Sequence, residues 1–168
     1  GIVFYLKKLR TIAIIPARLE SSRLPGKALL DICGLPMIVH VFKRCEFAES
    51  LDEVFVATDN DKIRQVVEQY DGKVIMTSSH HKNGTERIVE AANNIDADII
   101  VNVQGDEPLL QPEMFESIIA PLLNERNLVC SNMVSVIYNE KDYISEDVVK
   151  VVCDLEKNII YLSRKPIP

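Results

Sequence analysis

The sequence predicts an α/β protein with a mostly parallel sheet and helices on both faces of that sheet. Two observations predict this fold class. Short apolar runs of strand length alternate along the chain with longer segments whose apolar residues recur at helical spacing. Several of the short runs are apolar almost throughout, which is typical of parallel strands buried on both faces. A chain of 168 residues is long enough for one domain with a full core.

The first part of the chain contains two predicted strands, each followed by a predicted helix. The apolar run at residues 11–16 predicts the first strand, and Pro36 marks the first residue of a helix. The inner face of this helix carries Ile38, Val41, Phe42 and Cys45. Residues 53–58 predict the second strand, and Asp59 or Asn60 caps the next helix. The buried stripe of that helix consists of Ile63, Val66, Val67 and Tyr70.

The same alternation continues through two further strands. Residues 73–77 predict a third strand, and the polar loop at 78–84 leads to a helix. One side of this helix carries Ile88, Ala91, Ala92 and Ile95. Residues 98–103 predict a fourth strand, after which Pro112 opens a helix. Its inward side consists of Phe115, Ile118, Ile119 and Leu122.

The last part of the chain has a different pattern. Residues 128–138, 148–153 and 159–162 are strand-like, and residues 154–158 form a polar turn between two of them. Neighbouring strands joined by a short turn are antiparallel. We therefore expect an antiparallel addition to the sheet.

The charge distribution argues against a broad nucleic-acid surface. The formal net charge is −6, and the first ten residues include Lys7, Lys8 and Arg10 and no acid, so the remainder is more acidic still. We treat residues 1–10 as a tail and residues 11–168 as the domain. No apolar run approaches the length that spans a membrane, so we expect no membrane partner.

The cysteines are widely spaced, with no C-x-x-C pair. They are Cys33, Cys45, Cys130 and Cys153. This spacing favours reduced thiols packed as small apolar groups over a zinc site or disulfides. Reduced thiols are typical of the cytosol, so we expect a cytoplasmic protein.

A loop rich in cations follows the first predicted strand. Arg18, Arg23 and Lys27 are separated by five and then four residues, and Pro25 and Gly26 lie between the last two. Charge-assisted hydrogen bonds from such side chains hold a triphosphate, and Gly26 lets the backbone approach it. The alternative is a solvated surface loop with a Pro-Gly turn. The position after the first strand favours phosphate binding, although neither a P-loop nor a dinucleotide fingerprint is present.

An acidic turn follows the fourth predicted strand. Gln104, Gly105, Asp106, Glu107 and Pro108 succeed one another there. Mg²⁺ prefers one or two carboxylates together with phosphate oxygens and water, so Asp106 is a candidate metal ligand. The alternative is a helix-entry turn before Pro112. Because both loops follow strands of one parallel sheet, we expect them at the same rim, where such sheets bind ligands. A triphosphate with its metal ion is the ligand that suits a cationic and an acidic loop.

A third loop, at residues 83–87, also follows a strand. Thr85 is a candidate helix cap, and Glu86 in the first turn favours the helix dipole. Arg87 is explained by neither role, and we expect it to bind a sugar carboxylate or a phosphate. The tandem pair His80 and His81 lacks the spacing of a metal site.

Five motifs in one order resemble a known family. They are Ile-Pro-Ala-Arg at 15–18, Arg-Leu-Pro-Gly-Lys at 23–27, Val-Ala-Thr-Asp at 56–59, Gly-Thr-Glu-Arg at 84–87 and Val-Asn-Val-Gln-Gly-Asp-Glu-Pro at 101–108. Together they resemble the 3-deoxy-manno-octulosonate cytidylyltransferases, also called CMP-Kdo synthetases. Residues 149–152 and 163–168 fit later segments of that family. The resemblance implies a Rossmann-like nucleotidyltransferase fold of the nucleotide-diphospho-sugar transferase type.

The resemblance also implies an enzyme of lipopolysaccharide biosynthesis. With Mg²⁺, this enzyme transfers CMP from CTP to the sugar acid 3-deoxy-D-manno-octulosonate (Kdo). By matching positions, Arg18 and Lys27 hold the triphosphate, with support from Arg23. Asp106 ligates the metal. The remaining matches, Gln104 and Arg87, face the sugar or the CMP moiety. The catalytic work of Arg18, Lys27 and Asp106 is alignment and charge neutralisation.

Two departures from the family pattern affect these expectations. Ala28 stands where the family usually has a second proline after the lysine. Family members also continue beyond the segment that ends at Pro168, with a second metal carboxylate, sugar contacts and much of a homodimer interface. We therefore expect this chain to lack its C-terminal part. Two alternatives stay open: another sugar cytidylyltransferase, of acylneuraminate or 8-amino-Kdo type, and a truncated non-catalytic nucleotide-binding module.

Overall fold

The computed structural model describes residues 8–20, 24–125 and 127–167. The contacts within the chain define two compact units, Gly1–Ser131 and Asn132–Pro168. The first unit contains β1 (Thr11–Pro16), a 3₁₀ turn (Lys27–Leu29), β2 (Asp31–Ile32), β3 (Leu35–Pro36), α1 (Met37–Glu46), β4 (Glu53–Thr58), α2 (Asp61–Gln69), β5 (Lys73–Met76), α3 (Gly84–Ala92), β6 (Ile99–Asn102) and α4 (Glu113–Asn124). The second contains α5 (Glu140–Ile144), β7 (Lys150–Cys153) and β8 (Ile159–Ser163).

The centre of the first unit is a four-stranded parallel sheet in the order β5-β4-β1-β6. β1 lies inside the sheet, where Ile14 is in register with Phe55 on one side and with Asn102 on the other. Residues 12–15 of this strand have no exposed surface. The predicted strands at 11–16 and 53–58 are confirmed to the residue, and the other two are shorter than predicted by one or two residues.

Helices cover both faces of this sheet, as predicted. Successive side chains of a strand point to opposite faces. On one face Ala13 and Ile15 belong to a cluster with residues of α1, α2 and α4. On the other face Ile12 and Ile14 belong to a cluster with Ile88 and Ala91 of α3. This arrangement confirms the α/β class with a sheet covered on both sides.

The helix starts follow the predicted signals with small shifts. Asn60 is the cap of α2, since its side-chain oxygen accepts the N–H groups of Lys62 and Ile63. Pro36 and Pro112 each stand one residue before α1 and α4, in the cap position. The predicted cap Thr85 is wrong. Asn83 caps α3 instead, because its extended backbone lets its side chain accept the Glu86 N–H at 2.9 Å.

The strand prediction for residues 128–138 is wrong. All of these residues are described, and they form no strand. A strand needs a partner that bonds its N–H and C=O groups, and an apolar pattern does not reveal whether one is present. The hairpin of β7 and β8 is antiparallel as expected, but it forms a sheet of its own rather than an addition to the main sheet. In this hairpin the Asp154 N–H donates to the Asn158 carbonyl at 2.9 Å, which closes the predicted turn.

Three short elements were not predicted: the 3₁₀ turn, the β2–β3 hairpin and α5. The hairpin turns at Cys33 and Gly34, both with positive φ. The expectation that the cysteines pack as apolar groups holds for Cys45, which is buried, and is wrong for Cys33, Cys130 and Cys153, which are exposed. Among the helices that the structure describes, none has both the length and the apolar character that crossing a bilayer requires.

Candidate active site

A pocket of about 250 Å³ lies at the carboxyl edge of the parallel sheet. The residues that line it, called here the rim pocket, are Pro16, Ala17, Arg18, Lys27, Ala28, Met37, His81, Asn83, Gly84, Arg87, Gln104, Gly105 and Asp106. The chain runs from β1 outward to β4 and β5 and then returns to β6 on the other side of β1. The strand order therefore reverses between β1 and β6, and the rim pocket is lined by the residues that follow both strands. Open parallel sheets bind ligands at such a switch point.

Backbone hydrogen bonds continue one residue past the ends of β1 and β6 and so fix the start of the loop that follows each strand. The Ala17 N–H donates to the Ala57 carbonyl at 2.9 Å, and the Val103 N–H donates to the Ile14 carbonyl at 3.1 Å. Gly105 lies against β1, since a Cβ there would be 3.2 Å from the Pro16 carbonyl oxygen. The glycine thus allows close approach of the two loops, so that Arg18 and Asp106 line one pocket.

The end of the cationic loop is a tight turn. Gly26 has φ +72°, a left-handed conformation that favours glycine, and precedes the 3₁₀ turn that contains Lys27. The Gly26 N–H donates to the Leu19 carbonyl at 2.9 Å. In this structure the glycine therefore serves the turn, and its N–H is engaged within the loop. Ala28, the next residue after Lys27, is buried and packs in the wall of the pocket.

Lys27 and Asp106 form an ion pair within the rim pocket. Lys27 Nζ donates to Asp106 Oδ2 at 2.7 Å, and the side chains are 39% and 49% exposed. The pair joins the loop that follows β1 to the loop that follows β6. Exposed pairs contribute little to stability, about 0–1 kcal/mol, so a ligand can separate these side chains at small cost.

Arg87 is buried although it lines the pocket. Its guanidinium lies 3.3 Å from the carboxylate of Asp59, and its side chain is only 5% exposed. It also donates to Thr77 Oγ1 at 2.6 Å and to the Ser78 carbonyl at 3.4 Å. The sequence pattern left Arg87 without a structural role. The structure supplies one: the guanidinium fastens α3 to the segments that follow β4 and β5.

His81 lines the pocket, although its sequence context predicts no site there. Its Nε2 is hydrogen-bonded to Glu90 Oε2. Glu90 in turn accepts the Ser78 N–H on both carboxylate oxygens, at 3.1 and 3.0 Å. The hydrogen bond with His81, followed by that from Ser78, lowers the pKa of the Glu90 carboxyl. The signal that identifies His81 is its place in the β5–α3 loop, which ends at the same rim as the two motif loops.

The structure thus brings most of the predicted site residues together. Arg18, Lys27, Arg87, Gln104 and Asp106 all line the rim pocket. Gln104 is exposed, and its amide donates to Asn102 Oδ1 at 3.4 Å. Gly26 directly precedes Lys27, whereas Arg23 lies outside the described residues. The binding and catalytic roles assigned to these residues stay predictions.

The fold and the pocket define a class of protein. A parallel sheet covered by helices, with a pocket at its switch point, is the architecture of ligand-binding α/β proteins. A family model described as Cytidylyltransferase matches residues 12–168. The chain belongs to this cytidylyltransferase family.

Individual relatives agree with this family. The chain is 48% identical over 160 residues to the 3-deoxy-manno-octulosonate cytidylyltransferase of Geobacter metallireducens, an alignment that covers 95% of this chain and 63% of that protein. It is 51% identical over 156 residues to the protein of the same name from Geobacter sulfurreducens, with 93% and 62% covered. The chain therefore spans less than two thirds of the length of these relatives.

A solved structure has the same fold. It is CMP:2-keto-3-deoxy-manno-octonic acid synthetase complexed with CTP, with a TM-score of 0.85 and 38% sequence identity. The match covers 95% of this chain and 66% of that one. This similarity confirms the nucleotidyltransferase fold predicted from the motifs.

Proposed function

We propose that this protein transfers CMP from CTP to Kdo, giving CMP-Kdo and pyrophosphate for lipopolysaccharide biosynthesis. The names of the two Geobacter relatives and the CTP complex of the similar structure support the proposal. The observation that carries it is the rim pocket itself. At the switch point between β1 and β6 it combines Arg18 and Lys27 with Asp106, which are the charges that a metal–triphosphate requires.

The reaction needs positioned charge rather than a covalent enzyme intermediate. The anomeric hydroxyl oxygen of Kdo attacks the α-phosphorus of CTP and loses its proton to water, and the bond from that phosphorus to the bridging oxygen of the β-phosphate breaks as pyrophosphate leaves. In this proposal Arg18 and Lys27, with Arg23, hold the triphosphate and neutralise charge that develops on the leaving group. Gln104 and Arg87 face the sugar or the CMP moiety. Because the Arg87 guanidinium already bonds Asp59 and Thr77, it presents a fixed edge to the pocket.

The residues of the pocket fit Mg²⁺ that is bound together with the nucleotide. Mg²⁺ is commonly held by one or two carboxylates plus phosphate oxygens and water, and Asp106 supplies one carboxylate. Among the residues that the structure describes, no group of three or more His, Cys, Asp or Glu side chains could hold a metal. The donor set thus suits a shared ion better than a protein cage. When bound, Mg²⁺ would supply charge neutralisation at the triphosphate.

Pyrophosphate release is the direct test of the proposed function. The purified protein is incubated with CTP and Mg²⁺, with and without Kdo, and pyrophosphate is measured. We expect release that depends on all three components. Arg18→Ala should abolish most of it, whereas Lys62→Ala, an exposed cation on α2 outside the pocket, should not. Release without Kdo, or none in any mixture, would contradict the proposal.

The same assay distinguishes the alternatives. Faster turnover with an acylneuraminate or with 8-amino-Kdo identifies another sugar cytidylyltransferase. CTP binding without turnover on any of these sugars identifies a non-catalytic nucleotide-binding module. We further propose that the protein is cytoplasmic, that it is a homodimer when full length, and that it binds neither nucleic acid nor membrane. Light scattering of the full-length protein tests the dimer, and gel-shift and vesicle-sedimentation assays test the absence of nucleic-acid and membrane binding.

A further inference from the structure

The two side chains of the Lys27–Asp106 ion pair are assigned by the proposed function to different parts of one ligand. Lys27 is assigned to the triphosphate, and Asp106 to its metal ion. In the structure each is the counter-ion of the other, at 2.7 Å. A ligand that engages both must therefore replace one ion pair by two new ones.

The polar side chains of the rim pocket differ in burial and in the strength of their contacts with neighbouring residues. The guanidinium of Arg87 is buried and paired with Asp59, and His81 is bonded to Glu90. Lys27 and Asp106 are both more than a third exposed, so their pair can open without burying an unpaired charge. A ligand in the rim pocket can thus displace these two side chains while the other pairs stay in place.

The charge of the ligand then determines the free energy that is needed to separate Lys27 from Asp106. A metal-free triphosphate satisfies Lys27 but places its negative charges beside an unpaired Asp106, and like charges repel. A metal-loaded triphosphate offers a negative group to Lys27 and a cation to Asp106. We propose, on the basis of the proposed function, that Asp106 is a selectivity residue. As the internal counter-ion of Lys27, it makes the rim pocket discriminate against metal-free triphosphate.

This role predicts an effect opposite to that of an ordinary ligand residue. Removing the Asp106 charge should strengthen the binding of metal-free CTP while weakening the binding of CTP with Mg²⁺. A residue that only held the metal would leave the binding of metal-free CTP unchanged. A residue needed for the shape of the pocket would weaken both.

Isothermal titration calorimetry with and without Mg²⁺ tests the role. CTP is titrated in EDTA and in Mg²⁺ against the wild type, Asp106→Asn and Asp106→Ser. We expect both variants to bind metal-free CTP about two- to fivefold more tightly, the scale of one exposed charge interaction. The ratio of the affinity for CTP with Mg²⁺ to the affinity for metal-free CTP should fall by more than that factor, because the affinity for CTP with Mg²⁺ drops at the same time. Titration with inorganic pyrophosphate should show the same change, because the effect does not depend on the base.

Glu107→Gln is the matched control. Glu107 is the next residue and an exposed carboxylate, but it does not line the pocket. Glu107→Gln removes one negative charge, as each Asp106 variant does, and should leave the preference for CTP with Mg²⁺ unchanged. The same gain with Glu107→Gln, or no gain with either Asp106 variant, would overturn the selectivity role. A wild type that binds no CTP even with Mg²⁺ would overturn the proposed function as well, so the two failures are distinguishable.

Discussion

Exposure divides the charged residues of the rim pocket into two groups. Lys27 and Asp106 are partly exposed and bonded to each other, so their partners can change when a ligand binds. Arg87 is buried against Asp59 and Thr77, and breaking its contacts would leave a buried charge without a partner. The first group therefore suits ligand binding, and the second maintains the wall against which the ligand binds.

Removing one of the at least partly exposed cations that line the rim pocket should weaken nucleotide binding and leave the fold intact. We expect Arg18→Ala and Lys27→Ala each to lower the affinity for CTP with Mg²⁺ by about tenfold or more, since hydrogen bonds to charged groups contribute about 1.5–3 kcal/mol. Calorimetric titration measures the affinity, and circular dichroism confirms the fold. Lys62→Ala is again the control. Unchanged affinity in both pocket variants would show that the cationic loop is only a surface turn.

The cysteines should differ sharply in reactivity. Burial, together with the nearby Glu46 charge, raises the pKa of the Cys45 thiol to about 12. Since the thiolate is the nucleophile, Cys45 should resist iodoacetamide at mildly alkaline pH in the native protein. Cys33, exposed in the β2–β3 turn, should be alkylated under the same conditions. Peptide mass spectrometry with and without denaturant checks this. Labelling of native Cys45 at the rate of Cys33 would contradict its burial.

At the scale of elements, ion pairs join the starts of three strands at the edge opposite the pocket. Glu53, the first residue of β4, is paired with Arg10, just before β1, and with Lys73, the first residue of β5, at 2.5 Å. The hydrogen bond from Lys73 is the main cause that lowers the pKa of the Glu53 carboxyl, and that from Arg10 adds to it. One carboxylate thus links β1, β4 and β5.

This linkage predicts a stability difference that depends on pH. Because the folded-state pKa of Glu53 lies below its ordinary value of 4.5, its stabilisation is present above that value and is lost as the pH falls through the folded-state pKa. We expect Glu53→Gln to lower the free energy of unfolding by about 1 kcal/mol or less near neutral pH, since the partner cations are exposed. The difference should shrink in acid.

Urea unfolding at neutral pH and well below pH 4.5 measures this difference. Glu68→Gln on α2 is the control, because Glu68 is an exposed carboxylate that takes no part in the Arg10–Glu53 and Glu53–Lys73 ion pairs. A difference between wild type and Glu53→Gln that stayed constant into acid would mean that the charge of Glu53 does not stabilise the strand edge.

At the scale of the whole molecule, family membership and the position of the pocket lead to a prediction about the base. We expect CTP to stabilise the protein more than ATP, GTP or UTP in the presence of Mg²⁺. This expectation comes from the family, since no residue pattern in the sequence by itself indicates a binding site for a pyrimidine base. Saturation at one hundred times the dissociation constant stabilises a protein by about 2.7 kcal/mol, a shift that thermal denaturation detects. A shift with ATP as large as with CTP would indicate a different transferase.

Much of the fold could be predicted because its signals are local. β1 and β4 are bounded as predicted, and the inner face of α1 is buried at all four predicted positions. The choice of Asn83 over Thr85 as a cap could not be predicted, since it depends on the backbone angle at which the chain enters α3. Residues 128–138 have the composition of a strand, but strand formation depends on a partner elsewhere in the chain.

The sequence by itself determined the alternation of β1, β4, β5 and β6 with α1 to α4 along the chain, the strand ends that carry Arg18 and Asp106, and the family. These follow from periodicity and motifs within a few residues of one another. Only the tertiary structure decided that Lys27 pairs with Asp106, 79 residues later, and that Asp59 neutralises a buried Arg87. The same is true of His81, which has no motif of its own and lies in the pocket wall. Such pairings depend on strand order and on which side chains are excluded from water, and neither is set by neighbouring residues.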